Sequence, residues 1–389
     1  MKKRIRVGIL FGGRSAEHEI SLLSAKNIIQ AIDKEKYEPV LIGIDKKGKW
    51  YLEEQSHFLL NANNPKLISL NKSHTSVALT PWKENRNLRS LSKQTLDLAI
   101  DVVFPVLHGP YGEDGTIQGL LKLAGIPFVG ASVAGSAIGM DKDVMKRLLR
   151  EAGIPVAKFL VLKKSDVILE GVQRPIESQG GDPIASLQDD NKFDYKTIVN
   201  QLGLPFFVKP ANLGSSVGIS KVYKKAEFKS AIKEAFQYDN KILIEQFIEG
   251  REIECSVLGN DDPIASLPGE VIPSHEFYSY EAKYIDENGA KLIIPAKLPE
   301  FVIKQVQKLA IYAFKILCAE GMARVDFFLA KNGKLYVNEI NTIPGFTKIS
   351  MYPKLWEVSG ISYTELIDRL IQLAIERFER ESKLKTTVE

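Results

Sequence analysis

The sequence predicts a mixed fold, α/β at its N-terminus and α+β beyond it. Ile5 to Leu10 is a short β-rich apolar run, and Gly12 and Gly13 break it. Ile20, Leu23, Asn27, Ile28 and Ala31 then recur at helical spacing, and Val40 to Ile44 reads as the next strand. Strand, helix and strand in that compass make a βαβ unit and hence a parallel sheet. Further on, Phe206 to Lys209, a Gly/Ser loop, Ile219 to Tyr223, a helix over Ala226 to Phe236 and a strand over Ile242 to Gln246 follow one another. That order suits an antiparallel sheet with a helix on it. A length of 389 residues suggests two or three domains at roughly 150 residues each.

The remaining elements follow in order. Asp101 to Leu107 is a buried strand, and a Gly-rich loop leads from it into a helix over Thr116 to Ala124 that Gly125 and Pro127 end. Lys46 to Thr95, in between, is polar and turn-rich, and its short apolar pieces Trp50 to Leu52 and Val77 to Leu79 allow little assignment. A helix over Asp141 to Glu151, closed by Gly153 and Pro155, belongs to a second module that starts near Ala131. Lys163 to Asn191 is polar with no helical or strand period, the composition of a mobile insertion dispensable for catalysis. A third module holds strands around Ile253 to Leu258 and Arg324 to Asn341, with helices over Glu300 to Leu317 and Tyr363 to Arg380. The expected domains are residues 1–130, 131–244 and 245–389.

Composition excludes several classes. With 44% hydrophobic and 26% charged residues the chain has ample material for a core and is not disordered as a whole. A net charge of +4, from 52 basic against 48 acidic residues, does not point to a nucleic-acid partner. Cys255 and Cys318 alone write no disulfide framework or cysteine metal cage, so a reducing compartment is expected. The apolar stretch Val7 to Phe11 is too short for a signal-peptide core, and no run of about eighteen apolar residues follows. A cytoplasmic protein with no membrane partner is expected.

Asn332-Gly333 between Arg324 to Ala330 and Lys334 to Asn341 is a strong hairpin signal. With those two residues as the turn, Lys331 pairs with Lys334, Asp326 faces Glu339 and Arg324 faces Asn341. The same face then carries Phe328, Ala330, Leu335 and Val337, apolar near the turn and polar at the far end. Two opposed carboxylates with β-carbons about 5 Å apart repel unless a cation or proton lies between them. Asp, Glu and Asn supply hard oxygens, and Mg²⁺ is held by one or two carboxylates together with substrate phosphates. A solvated strand end would explain either acid alone; the whole constellation favours the metal.

Such a site predicts a nucleotide, yet the chain has no Gly-x-x-x-x-Gly-Lys-Ser/Thr motif, and Gly8, Gly12 and Gly13 do not fit Gly-x-Gly-x-x-Gly. Instead Val208-Lys209-Pro210 leads into the small-residue loop Ala211 to Gly218, whose amides can approach phosphate closely. Lys142 and Lys283 are further candidate phosphate cations, though isolated lysines are more often solvated.

Together these segments resemble the D-alanine:D-alanine ligases, ATP-grasp enzymes of peptidoglycan synthesis. The resemblance runs from Gly12-Gly13-Arg14-Ser15-Ala16-Glu17-His18-Glu19 to Asn341-Thr342-Ile343-Pro344-Gly345. Between them lie His108-Gly109-Pro110-Tyr111-Gly112-Glu113-Asp114-Gly115, Met140-Asp141-Lys142, the Lys209 loop, Glu245, Tyr280 to Tyr284 and the carboxylate hairpin. It does not cover Lys46 to Thr95 or Lys163 to Asn191. The resemblance implies an ATP-grasp fold with an N-terminal parallel-sheet domain, ATP and two Mg²⁺ ions as cofactors with Mn²⁺ able to replace them, D-alanine as substrate, and a homodimer.

It also implies roles. Asp326, Glu339 and Asn341 hold the metals, with Glu339 bridging them. Lys142, Lys209 and Lys283 contact phosphates, Ser216 lies in the nucleotide loop, and Glu245 and Glu252 meet adenine and ribose. The family usually has lysine after that glutamate, whereas this chain has Gln246, which puts one adenine-side contact in doubt. Arg324 and the Gly345 amide stabilise the oxyanion of the tetrahedral intermediate; an Arg that simply neutralises Asp326 fits the residues nearly as well. Glu17 binds the ammonium of the first D-alanine and is linked through Ser215 to Tyr284. From the residues alone a carboxylate in the first turn of a helix capped by Ser15 is equally well explained by the helix dipole. His108, at a strand's C-terminal end, lies beside the substrate carboxylate, where a structural histidine is the alternative. Ser350 helps to hold the carboxylate of the second D-alanine. Related ligases using D-lactate lack the tyrosine at 284, and an inactive nucleotide-binding regulator would be expected to have lost a metal ligand; neither departure is seen here.

Overall fold

Val7, Ile9, Leu10 and Phe11 are all buried, so the strand Ile5–Gly12 has apolar cover on both faces, the condition for a parallel sheet. In the computed structural model it lies between Tyr37–Ile44 and Val102–Val106, parallel to both, and Trp50–Glu53 pairs antiparallel beyond Tyr37–Ile44. The structure describes residues 3–54, 56–62, 64–65, 67–73, 75–80, 87–91, 97–166, 195–215, 217–273 and 290–385.

Two compact units divide the chain, one of residues 1–156 and 250–389, the other of residues 157–249. In the first, the helices His18–Ala31 and Tyr363–Glu381 contribute buried residues to the core on the parallel sheet. Phe346 joins that core, its ring 5.8 Å from Phe104, 5.7 Å from Tyr352 and 6.1 Å from Tyr363. Burying a phenylalanine of this kind stabilises by roughly 1.5–3 kcal/mol. A six-stranded antiparallel sheet carries Gly250–Gly259, Gly321–Ala330 and Leu335–Asn341 side by side, with the helix Glu300–Ile316 on one face. The other unit has four antiparallel strands, in the order Phe159–Lys163, Lys241–Gln246, Phe206–Pro210, Ser220–Val222. The helices Lys225–Tyr238 and Tyr195–Leu202 pack on that sheet. Both predicted sheet types are therefore present.

Several expectations are corrected. The hairpin turn has three residues, Lys331 to Gly333: Ala330, not Lys331, faces Lys334, with 3.0 Å from the Ala330 amide to the Lys334 oxygen. Gly333 takes a φ of +81°, as a glycine-bulge turn requires. Phe328 consequently faces Tyr336, and Leu335 and Val337 lie in the core with Phe327 and Leu329 instead of on the Asp326 face. An irregularity between Asp326 and Phe327 shifts the register back, so Asp326 faces Glu339 and Arg324 faces Asn341 after all. The first long helix starts at His18 with Glu17 as its N-cap residue and no side-chain cap, so Glu17 is not inside the first turn. Ser15 Oγ instead accepts the Glu17 amide (3.0 Å) and donates to the His108 carbonyl (2.8 Å). Lys163 ends a strand and residues 164–166 form a 3-10 turn; the rest of the expected insertion, to residue 191, lies outside the described residues. Residues 46–95 contain short strands, among them Trp50–Glu53 and Val77–Leu79. Helices at Val133–Met140, Tyr195–Leu202 and Met351–Val358 had no counterpart in the sequence reading.

Candidate active site

Three adjacent strands bring three carboxylates into one row: Glu254 faces Asp326, and Asp326 faces Glu339. Such a row is self-repelling unless cations intervene. Arg324 supplies one, donating from Nε and Nη2 to the two Asp326 oxygens at 2.7 Å each, with Nε also 2.9 Å from Glu254 Oε2. Lys142 supplies another, its Nζ 3.6 Å from Glu339 Oε2. This lysine is buried at the first position of the helix Lys142–Glu151, whose start is fixed by Asp141 accepting the Asp143 and Val144 amides at 3.0 and 3.2 Å. Asn341 donates to Asp326 Oδ2 at 3.0 Å, which turns its amide oxygen away as an acceptor.

Asp326, Glu339 and Asn341 thus carry hard oxygens on two adjacent strands, the donor chemistry that Mg²⁺ takes. Among the described residues no three His, Cys, Asp or Glu side chains converge on a common point. Glu254 escaped the sequence reading; the alternation of Glu252 and Glu254 with buried Ile253 and Cys255 was its only local signal.

A second cluster joins two loops far apart in sequence. Glu113 Oε2 accepts the Gly109 amide at 2.8 Å and Oε1 accepts the Ile343 amide at 3.1 Å. Burial, and then the charge of nearby Glu17, push its carboxyl above the usual carboxylate range. Glu17 is buried beside Gly109, where a Cβ would come 2.8 Å from its Oε2. His108 is buried, its Nδ1 3.0 Å from the Ile343 carbonyl oxygen and its Nε2 3.2 Å from Ser24 Oγ. Burial lowers its pKa, against the opposing charge of Glu17. Gly345 lies against Ser350, whose Oγ would be 2.7 Å from a Cβ at 345 and which accepts the Thr347 amide at 3.0 Å. Sequence reasoning treated Glu113 only as part of a motif; its bonding to Ile343 had no local signal.

In the other unit, Lys209 Nζ and Glu245 Oε2 are 2.7 Å apart and both side chains are buried. They are diagonal neighbours on adjacent strands, since Phe207 faces Glu245 and Lys209 faces Leu243. Ser215 holds a left-handed φ of 52° in the small-residue loop. Gln246 extends the same strand as Glu245, its amide 2.9 Å from the Lys158 carbonyl. Glu252 belongs to the first unit, opposite Phe328 and two register positions from the Glu254–Asp326 pair. Ser216, Lys283 and Tyr284 lie outside the described residues. Among the described residues no helix is long and apolar enough to cross a membrane.

Comparison with known proteins agrees over nearly the whole chain. The family described as D-ala D-ala ligase N-terminus matches residues 6–131, and the family described as D-ala D-ala ligase C-terminus matches residues 148–372. The D-alanine--D-alanine ligase of Shouchella clausii is 56% identical over 383 residues, 98% of each chain. That of Oceanobacillus iheyensis is 54% identical over 388 residues, 100% of this chain and 99% of the other. Among solved structures, the D-alanine-D-alanine ligase from Coxiella burnetii superposes with a TM-score of 0.78 at 39% identity, covering 98% of this chain and 96% of that one.

Proposed function

This chain belongs to the D-ala D-ala ligase family, and on that premise we propose how its own residues join two D-alanine molecules into D-alanyl-D-alanine, using ATP, for peptidoglycan synthesis. Its fold is ATP-grasp with an N-terminal parallel-sheet domain. The carboxylate of the first D-alanine attacks the γ-phosphorus of ATP, the bond to the β,γ-bridging oxygen breaks, and ADP leaves an acyl phosphate behind. The second D-alanine sheds one ammonium proton, and its amine attacks the acyl carbon. A C–N bond forms while the carbonyl pair moves onto oxygen. Collapse then breaks the C–O bond to phosphate, and the nitrogen loses its remaining extra proton. Phosphoryl transfer of this kind rests on positioning and charge neutralisation more than on a covalent catalyst.

Arg324 and the Gly345 amide meet the oxyanion, where charge develops. Glu17 takes the ammonium of the first D-alanine, Ser215 and Tyr284 assist that step, Ser350 orients a carboxylate, and His108 lies beside the substrate carboxylate with its ring nitrogens held by Ser24 and the Ile343 carbonyl. Lys142, Lys209 and Lys283 neutralise phosphate oxygens, Ser216 lies along the nucleotide, and Glu245 and Glu252 hold adenine and ribose. Asp326, Glu339 and Asn341 are the residues that would hold two Mg²⁺ ions. Bound there, the ions would offset phosphate charge. A cytoplasmic homodimer is expected, with residues 1–130 on the substrate side and residues 131–244 and 245–389 as the two ATP-grasp subdomains.

The observation that supports this assignment most is the in-register row of Glu254, Asp326 and Glu339, with Arg324 and Lys142 set among its charges. Glu339→Gln keeps volume and removes one negative charge. Turnover in Mg²⁺-dependent phosphate release should nearly vanish; near-parental rates at ordinary Mg²⁺ would refute the metal assignment.

A further inference from the structure

The turn from Ile343 to Phe346 is gripped at both ends by side chains remote in sequence, most of them from the N-terminal part of the chain. At its start, the Ile343 amide donates to Glu113 (3.1 Å) and the Ile343 carbonyl faces His108 Nδ1 (3.0 Å). At its end, the Phe346 amide donates to Ser24 Oγ at 3.1 Å, and the Phe346 carbonyl accepts from Asn27 Nδ2 at 2.9 Å and Tyr363 Oη at 2.8 Å. Between these two fixed peptides lie Pro344 and Gly345.

One hydrogen-bond chain links the ends. A carbonyl oxygen can only accept, so His108 Nδ1 carries the proton and Nε2 is left as an acceptor. Ser24 Oγ, 3.2 Å away and fully buried, therefore donates its hydroxyl proton to Nε2 while accepting the Phe346 amide. The order is Phe346 N–H to Ser24 O–H to His108 Nε2, and His108 Nδ1–H to the Ile343 carbonyl. Every polar atom of this buried chain has a partner, the condition under which such a network fixes geometry.

We propose that Ser24 is a positioning residue: through His108 it sets the Ile343–Phe346 turn so that the Gly345 amide points at the developing oxyanion. The inference rests on the assignment of Gly345 to the oxyanion given above. Oxyanion donors act only when placed to within a fraction of an ångström, and they matter after the acyl phosphate exists. Ser24 therefore serves the second half of the reaction and is silent in the first.

The test separates the two halves. Oxygen-isotope scrambling within ATP, driven by reversible acyl-phosphate formation, reports the first; dipeptide formation reports the second. In Ser24→Ala, kcat for dipeptide is expected to fall about tenfold or more, with KM for ATP and the scrambling rate within about twofold of parental. Ser24→Cys, which keeps volume but bonds weakly, should fall in between. A parental dipeptide rate in Ser24→Ala overturns the proposal, and so does an equal loss of both halves, which would mark a merely structural serine. Gly345→Ala examines the underlying assignment separately, because its Cβ would come 2.7 Å from Ser350 Oγ, so that either that side chain or the turn must shift, without touching Ser24. Loss of the dipeptide step there with none in Ser24→Ala refutes only the role of Ser24; loss of the scrambling rate rather than of the dipeptide step in Gly345→Ala refutes the oxyanion assignment itself.

Discussion

Arg324 and Asp326, two residues apart on one face of a strand, are locked by two parallel 2.7 Å hydrogen bonds. The same guanidinium lies 2.9 Å from Glu254 on the neighbouring strand. Neutralising Asp326 and facing an oxyanion, which the sequence presented as alternatives, are thus compatible: the fork fixes the plane of the guanidinium for any further partner. Arg324→Lys keeps the charge but cannot reproduce the planar two-point grip. Dipeptide formation should fall about a hundredfold, while the melting temperature moves little. A lysine variant with parental kcat would show that charge alone suffices.

The Lys209 and Glu245 pair is buried on the sheet of the smaller unit. Lys209→Met withdraws the cation and leaves the Glu245 carboxylate without it in a poorly solvated place, which costs about 3–5 kcal/mol. The double variant Lys209→Met with Glu245→Leu should recover most of that loss, since an apolar pair of similar volume replaces a buried ion pair at little cost. Urea unfolding measures all three. A single variant as stable as the parent would mean that the pair is solvated in solution.

Glu53 is buried on the strand Trp50–Glu53, and burial pushes its carboxyl up to about 7, against which the Ser73 amide, 3.2 Å from both oxygens, pulls only partly. The folded chain therefore holds this proton more tightly than the unfolded chain, whose value is near 4.5. The stability linked to that proton is fully present below the unfolded value and is lost as pH rises through the folded one. Glu53→Gln, which keeps an acceptor for Ser73, should gain on the parent steadily in melting temperature from pH 5 to about pH 8. A difference that does not change with pH would contradict the shift.

Much of this was legible in the sequence, for reasons that particular residues make plain. The Asp326 and Glu339 pairing was read correctly although the turn was not, because the extra turn residue and the bulge near Asp326 offset each other. The helix Met351–Val358 was hidden by Pro353, yet that proline sits in the first turn, where its missing N–H has no partner to lose. Val133–Met140 shows no amphipathic stripe because its buried residues include Gly135, Ser136 and Gly139: a Cβ on Gly135 would fall 2.2 Å from the Cys318 oxygen, and one on Gly139 3.0 Å from Thr342. Glu113, Ser24 and Glu254 were not singled out because their partners come from loops and strands remote in sequence, and a local pattern carries no signal for such contacts.

The central claim is that carboxylate activation by ATP and attack by a second D-alanine are coupled in one site. The most direct measurement follows inorganic phosphate and D-alanyl-D-alanine together, in purified protein with ATP, Mg²⁺ and D-alanine. The account predicts no phosphate release without D-alanine and, with it, one phosphate for each dipeptide formed. Phosphate release that ignores D-alanine, or that runs without dipeptide at saturating D-alanine, would contradict it.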